Sequence, residues 1–420
     1  RLVAEGVRVG MGDDRPGAAR VRADIAVLQS LRDRQLRLAG AVVEHPRIRL
    51  RVARDGDWAI AGMAGEPVVG LETIRSALRG PVDVVAAEIT VVSWAEDAPD
   101  VVDGLDARLA PDGSGWRLSA TTPLPAAWGD HATVKAQGPA QPGADPGGAR
   151  VYAAVDGLSA DALDGWLGTE DAPPRLALGG DVQVWGSVSG DGDGLAGGVT
   201  VRADHGEARV PAVFRDAIPF HTLRATGDWQ WQGGAWAVDL TGAHLTNADG
   251  EAHLRLRLEG EPDVAPTVGV RARIEGRSGN AAAVPRYLPV AMAEAGLIDW
   301  LDAGVTGGTV RRLELGLAGR SDRFPFDAGD GWFRAKAELA ELGVTYHPDW
   351  PAVEGLTGEL GIVGRGLALD VARGGMTGAT IDSARVDVPD IAAGPVHVEA
   401  QVVGPGAAYL SFLRDMPGAA

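Results

Sequence analysis

The sequence predicts a mostly-β protein, a long twisted antiparallel sheet with a few short helices. Three observations carry that expectation. Sixty glycines and 26 prolines among 420 residues break the chain often, while helix-favouring runs are few. Apolar residues still make up 45%, too many for a disordered polymer. These apolar residues recur with period two, which sends alternate side chains to opposite faces of a strand.

The strands follow from the alternation. In Leu254-Arg-Leu-Arg-Leu258 the leucines face one way and Arg255 and Arg257 the other. Val268, Val270, Ala272 and Ile274 alternate with Gly269, Arg271, Arg273 and Glu275, and Leu313, Leu315 and Leu317 with Arg312 and Glu314. The pattern returns in Leu367, Leu369 and Val371, and in Val396, Val398, Ala400 and Val402. Sheets with one greasy and one wet face are typically antiparallel. A turn signature punctuates them: Asp55-Gly-Asp-Trp58, Asp112-Gly-Ser-Gly-Trp116, Gly233-Gly-Ala-Trp236 and Asp330-Gly-Trp332 each set a Gly-rich turn just before a Trp. Asp-Gly and Gly-Gly supply the positive φ of tight hairpins, and the Trp then packs on the pleat of the next strand. Twelve tryptophans against four tyrosines read as this hairpin habit.

Helices are expected at Val21 to Arg32, Gly70 to Leu78, Ser159 to Leu167 and Pro285 to Ala303. In the last of these Leu297, Trp300 and Leu301 share a face and Gly304 is the stop. The breaker-rich run 138–148 is the best boundary, and with a second division before the helix at Pro285 the segments are 1–137, 149–283 and 284–420. No stretch approaches the roughly 18 to 20 apolar residues needed to span a bilayer. The chain opens at Arg1 in what already reads as a strand, so a fragment of a longer protein is expected, its membrane anchor lying upstream.

Charge and chemistry narrow the class. A net charge of −18 argues against nucleic acid and against a basic membrane patch. The absence of cysteine removes disulfides and thiolate sites. Gly192-Asp-Gly-Leu-Ala-Gly197 has the spelling of a dinucleotide loop, but Asp191 and Asp193 repel phosphate and a strand follows near Val199, so it reads as a hairpin tip. The eight histidines are scattered. His244 and His253 flank one turn and can meet across a hairpin, yet their spacing specifies no metal site. No nucleophile elbow or catalytic triad stands out, and no enzyme activity, metal or cofactor is expected.

About 20 to 25 strands at 4.8 Å spacing make a sheet roughly 100 to 120 Å long, and a few short helices cannot cover its apolar face. Two sheets must pack together, or the sheet must curl on itself, or the face must meet an apolar ligand.

The stretch from Arg286 resembles the YhdP family of AsmA-like proteins. It reads Arg286-Tyr-Leu-Pro289, Leu297-Ile-Asp-Trp-Leu301, Gly307-Gly308, Phe324-Pro-Phe326, Gly331-Trp-Phe333 and Tyr346-His-Pro-Asp-Trp-Pro351, and closes with Val403-Gly-Pro-Gly406 and Met416-Pro417. Earlier, Leu28-Gln-Ser-Leu31 with Pro46-Arg-Ile-Arg-Leu50 is similar to an amino-terminal AsmA-like unit, and Gly165-Trp-Leu-Gly168 to a further family signature. The resemblance implies a U-shaped repeating β-groove with an apolar trough. It also implies a periplasmic protein, anchored in the inner membrane of a Gram-negative bacterium, that conveys phospholipid between the inner and outer membranes. Phospholipid acyl chains would be its ligand, with an outer-membrane contact at the far end and a monomeric state. The trough lining is then expected to include Leu254, Leu256, Leu258, Val268, Val270, Ile274, Leu313, Leu315, Leu317, Leu367, Leu369, Val396 and Val398, for each of which ordinary core packing is the alternative. Phe324-Pro-Phe326 and Trp350-Pro351 read as structural corners. The rival function is a scaffold for outer-membrane assembly that moves no lipid.

Overall fold

The structure is a computed structural model that describes residues 1–8, 16–52, 58–61, 80–93, 100–113, 115–139, 148–159, 180–188, 194–208, 214–261, 268–288, 295–347, 350–391 and 394–415. Strand dominates, and neighbouring strands pair antiparallel with one exception among the described pairs. The chain divides into two compact units, Arg1–Val201 and Arg202–Ala420.

The first unit carries β1 (Leu2–Arg8), β2 (Gly17–Ile25), β3 (Leu38–Val52), β4 (Trp58–Ile60), β5 (Val82–Ser93), β6 (Asp100–Asp112), β7 (Gly115–Pro123), β8 (His131–Pro139), β9 (Arg150–Leu158) and β10 (Gly180–Val188). Each pairs with the next, except that β5 lies parallel to β3 and the short β4 sits on the end of β3. The division between units falls inside β11 (Gly194–Ala208). The second unit continues with β12 (Ile218–Gln232), β13 (Ala235–Asn247), β14 (Gly250–Gly260), β15 (Gly269–Asn280), β16 (Val305–Arg320), β17 (Trp332–Val344), β18 (Val353–Val363), β19 (Gly366–Met376), β20 (Ala379–Val388) and β21 (His397–Val403), an uninterrupted antiparallel meander.

The helices depart from expectation. Val21, Ala23 and Ile25 belong to β2, opposite Val43, Ala41 and Leu38. Their alternation with Arg20, Arg22 and Asp24 makes a half-buried strand, so α1 (Val27–Asp33) starts only after it. The expected helix from Pro285 to Ala303 is a 3₁₀ segment, Ala281–Tyr287, and a separate α2 (Ala295–Gly304) that Gly304 does close. Asn280 caps the 3₁₀ segment, its Oδ1 accepting from the Ala282 N–H at 3.2 Å. A further helix, α3 (Gly406–Asp415), has no counterpart in the sequence reading. Residues 70–78 and 160–167 lie outside the described residues. Gly138 and Pro139 close β8 rather than opening a loop, because Gly138 lies against the ring of Trp116, where a Cβ would come within 2.9 Å.

The Gly-turn signature holds where it is described. Gly233 (φ 58°) and Gly234 (φ 84°) form the two-residue turn into β13, and Trp236 enters that strand. Phe324-Pro-Phe326 is a corner: Phe326 is buried over Gly319 and Gly331, and Phe324 packs on Phe333 at 5.4 Å. Trp350 is a second corner, in ring contact with Tyr346 and with Phe412 of α3.

Strands are longer than the sequence implied. β16 has 16 residues and β3, β11 and β12 have 15 each. Several strands also bend within their length. His45 (φ 48°), Ala86 (φ 51°), Ser278 (φ 54°) and Glu341 (φ 53°) are left-handed residues inside strands. The register with a neighbour shifts between Val84 and Ala87 and between Leu339 and Leu342, the mark of a bulge, which increases twist and curls a sheet. Such a residue turns its N–H out of the ladder, and three times a side chain of the following strand takes it. The Ala86 N–H donates to Asp106 Oδ1 (2.9 Å), the Gly157 N–H to Asp181 Oδ1 (3.0 Å) and the Glu341 N–H to Thr357 Oγ1 (3.4 Å).

The capped bulge sets a measurable expectation. Asp106→Ala should lower stability by about 0.5–1 kcal/mol, at the small end for a hydrogen bond because the site is exposed. Amide exchange at Ala86 should quicken several-fold while that of β8 and β9 stays unchanged; unchanged exchange at Ala86 would show that water replaces the cap without loss.

Candidate functional site

Directly opposed residues of an antiparallel pair project to the same side of the sheet. In the second unit this aligns apolar residues into rows across the strands. One row runs Leu223, Leu245, Ala252, Gly276, Leu313, Ala337, Leu360, Leu369, Val386 and Val398, from β12 to β21. The row beside it runs Ala225, Ala243, Leu254, Ile274, Leu315, Ala335, Ile362, Leu367 and Val388. Leu256 with Leu317, and Leu258 with Val270, extend the same face through Ala272 and β15. Val268 stands just before β15, where its carbonyl accepts from the Ser321 N–H at 2.9 Å and prolongs the register. Val396 precedes β21 in the phase of Val398.

The residues singled out in the sequence thus share one face. From Leu254 to Leu369 they are half-buried. Val396 and Val398 are 63% and 61% exposed, since β21 has only β20 beside it.

The first unit carries an equivalent face that the sequence reading missed. Its row runs Ala4, Val21, Val43, Val84, Ala107, Ala120, Val134, Ala153 and Val184, from β1 to β10. Leu109, Leu118, Ala136 and Val151 stand in the next row, with Leu109 and Val151 still 42% exposed. Two things hid it. Alanine is a weak alternation signal, and bulges reset the phase: in β5 the face is Val82 and Val84, then Ala87, Ile89 and Val91.

The opposite face of the second unit is charged. Glu251, Arg277, Arg312, Glu338, Glu359, Asp370, Arg385 and Glu399 form a continuous row from β14 to β21. Ion pairs lace it, among them Lys336 with Glu359 (2.8 Å) and Arg385 with Asp387 (2.7 Å). The Arg385 hydrogen bond holds the Asp387 carboxyl below its ordinary range. Exposed pairs add little stability but keep this face in water.

The apolar face is closed at one end of the strands and open toward the other. Val310, Leu339, Leu342, Leu356, Val371 and Ile381 form a buried cluster with Ala281 of the 3₁₀ segment. A latch holds that segment down. Asn247, in the β13–β14 turn, accepts at Oδ1 from the N–H groups of Asp249 and Gly250 and donates to Tyr287 Oη at 2.7 Å. Tyr287 Oη donates to Asp249 Oδ2 (2.7 Å), which also receives Arg286 Nη1 (2.5 Å). Burial first, and then the Asp249 carboxylate, push the Tyr287 phenol above its usual range. In the first unit Trp128, buried with Val91 and Val102, closes the face in the same manner. Away from these clusters the side chains are only half covered, and what they offer chemically is a dry strip for hydrocarbon.

His244 and His253 do meet, on the charged face. Gly194 opens β11, so no helix follows the glycine run 192–197. Among the described residues no helix is long and apolar enough to cross a membrane.

A protein-family model described as YhdP protein matches residues 182–417. The intermembrane phospholipid transporter YhdP of Escherichia coli (strain K12) is 25% identical over 215 residues, half of this chain and 17% of that protein. The chain therefore spans about a sixth of the length of that curated relative. No solved structure matches it.

The latch lies within the matched stretch and has a pH signature. A raised phenol contributes stability that is complete below the ordinary tyrosine value of about 10 and is lost as pH rises through the higher folded value. Tyr287→Phe should cost about 1 kcal/mol at neutral pH. It should also remove that part of the fall in melting temperature above about pH 10. Identical alkaline profiles for the two proteins would show that the phenol does not hold the segment.

Proposed function

The chain belongs to the YhdP family, and on that premise we propose that it is a section of a phospholipid conduit, in which acyl chains lie along the apolar face while headgroups remain in water. The observation that carries this reading is the unbroken apolar rows: half-buried side chains aligned strand after strand, with a charged row on the reverse side. The named activity of the Escherichia coli relative, intermembrane phospholipid transport, supports it.

The dimensions suit the task. A strand of about eight residues spans roughly 26 Å, and the strands from β12 to β20 are longer. One acyl layer is roughly 15 Å, half of a hydrocarbon core. A curled strand is therefore long enough to flank the tails of a lipid lying beside it. Each buried methylene is worth about 0.8 kcal/mol, so a tail that stays on a continuous dry strip never meets the penalty of entering water. No bond is made or broken, and no enzymatic step or cofactor enters this reading.

In this reading Leu254, Leu256, Leu258, Val268, Val270, Ile274, Leu313, Leu315, Leu317, Leu367, Leu369, Val396 and Val398 line the trough, and Val84, Ala107, Ala120 and Val134 do so in the first unit. The chain acts in the periplasm as a monomer. An inner-membrane anchor and an outer-membrane contact are part of the same reading.

Native mass spectrometry of the gently purified chain tests the reading, with extracted lipids identified. Phospholipid at one or more per chain is expected. Leu256→Asp and Leu315→Asp each place a carboxylate among the tails and should cut retained lipid about tenfold or more, a penalty of ~1.4 kcal/mol or above. Circular dichroism should show their folds intact. Lipid-free wild-type protein that stays folded and monomeric would overturn the conduit and favour a scaffold; normal lipid loading in both variants would show that the tails lie elsewhere.

A further inference from the structure

On the charged face of the second unit, His244 of β13 stands directly opposite His253 of β14. Their rings stack at 4.4 Å with 16° between planes. Glu251, two residues before His253 in the same strand, projects to the same side. Its Oε1 is 3.1 Å from Nε2 of His244 and 3.1 Å from Nε2 of His253. All three ligand atoms lie within 4.8 Å of one another.

We propose that His244, Glu251 and His253 form a binding site for a single borderline transition-metal dication, of which Zn²⁺ is the type. The donor set selects the ion. Two neutral imidazoles and one carboxylate suit Zn²⁺ and its neighbours in the first transition row, whereas Ca²⁺ and Mg²⁺ want oxygen alone. The spacing is close to what such an ion needs. With metal–ligand bonds of about 2.1 Å, tetrahedral donors stand roughly 3.4 Å apart. The two nitrogen–oxygen separations of 3.1 Å are near that value already. The two ring nitrogens lie within 4.8 Å of each other, so the stacked rings must tilt together to bring them to that value. Both rings and the carboxylate are partly exposed, so the movement disturbs no core and water completes the coordination.

The backbone does the remaining work. Thr246 pairs with Glu251 and His244 with His253, so the strand register fixes the three Cα positions before any ion arrives. The groups opposite them on the adjoining strands are Arg224 on β12, and Arg277 and Glu275 on β15. Arg277 lies opposite Glu251, and Glu275 lies opposite His253, where it supplies a second carboxylate on the ion's side. When Nε2 takes the metal the ring proton moves to Nδ1, so a neutral ring loses no net proton. A bound ion would tie β13 to β14 a few residues from Asn247 and Asp249, and so brace the turn that latches Tyr287.

Titration of the chelator-treated chain with Zn²⁺ by calorimetry, and with Co²⁺ followed by its visible absorption, tests the site. One equivalent should bind, with a rise in melting temperature, and Mg²⁺ and Ca²⁺ should give no saturable signal. His244→Ala and His253→Ala should each weaken Zn²⁺ binding at least about tenfold, Glu251→Gln several-fold, and the double histidine variant should abolish it. His221→Ala, from the separate His205–His221 pair, should change nothing. Should a histidine variant lose its fold, Glu251→Gln and the intensity of the Co²⁺ spectrum still decide. Absence of saturable uptake by the wild-type chain, or uptake that survives the double variant, would overturn the proposal.

Discussion

Register is the constraint on which the rest depends. An antiparallel pair slipped by one residue would exchange every apolar side chain of a strand for the charged one beside it. In the second unit Leu313 faces Ala337, which faces Leu360, which faces Leu369. Each strand from β13 to β20 is held in phase by both neighbours, and the apolar face exists only because that phase survives from β12 to β21. The charged face is the same fact seen from behind: Arg312 opposite Glu338 and Glu338 opposite Glu359 follow from the pairings that align the leucines.

Bulges reconcile this phase with curvature. A strand that inserts one residue flips its alternation, so the sequence must flip too if the same face is to stay apolar. It does so: Val310 is followed on that face by Leu313, and Leu339 by Leu342, three residues on rather than two. At Ala86, Gly157 and Glu341 the residue is left-handed, and the N–H it releases finds an aspartate or threonine in the next strand. At these three positions the bend keeps its donor paired and leaves the greasy strip uninterrupted.

The two faces differ in chemistry. The apolar face is buried near the 3₁₀ segment and the latch, and half-covered elsewhere, which gives it both an anchor in ordinary packing and a length free for hydrocarbon. The charged face keeps water on its own side and gathers the histidines and Glu251 where β13 and β14 pair. The apolar rows and the paired histidines lie on opposite sides of the same strands, so a substitution such as His253→Ala leaves the apolar rows in place.

The amino-acid order by itself determined the strand class, the apolar face of β14, β15, β16 and β19, and the Gly-turn before Trp236, because period two and turn chemistry are local properties. It also placed His244 and His253 on two arms of one turn. Other features came only with the tertiary structure. The apolar face of the first unit was hidden because left-handed residues at His45 and Ala86 break the period, and the register shift at Ala86 exists only against its partner strand. Val21 to Ile25 read as helix until Val43 and Leu38 supplied the strand it pairs with. The Glu251 bridge between the histidines, and the reach of Asn247 and Asp249 to Tyr287, depend on side chains brought together by register across strands, a distance that no local pattern encodes.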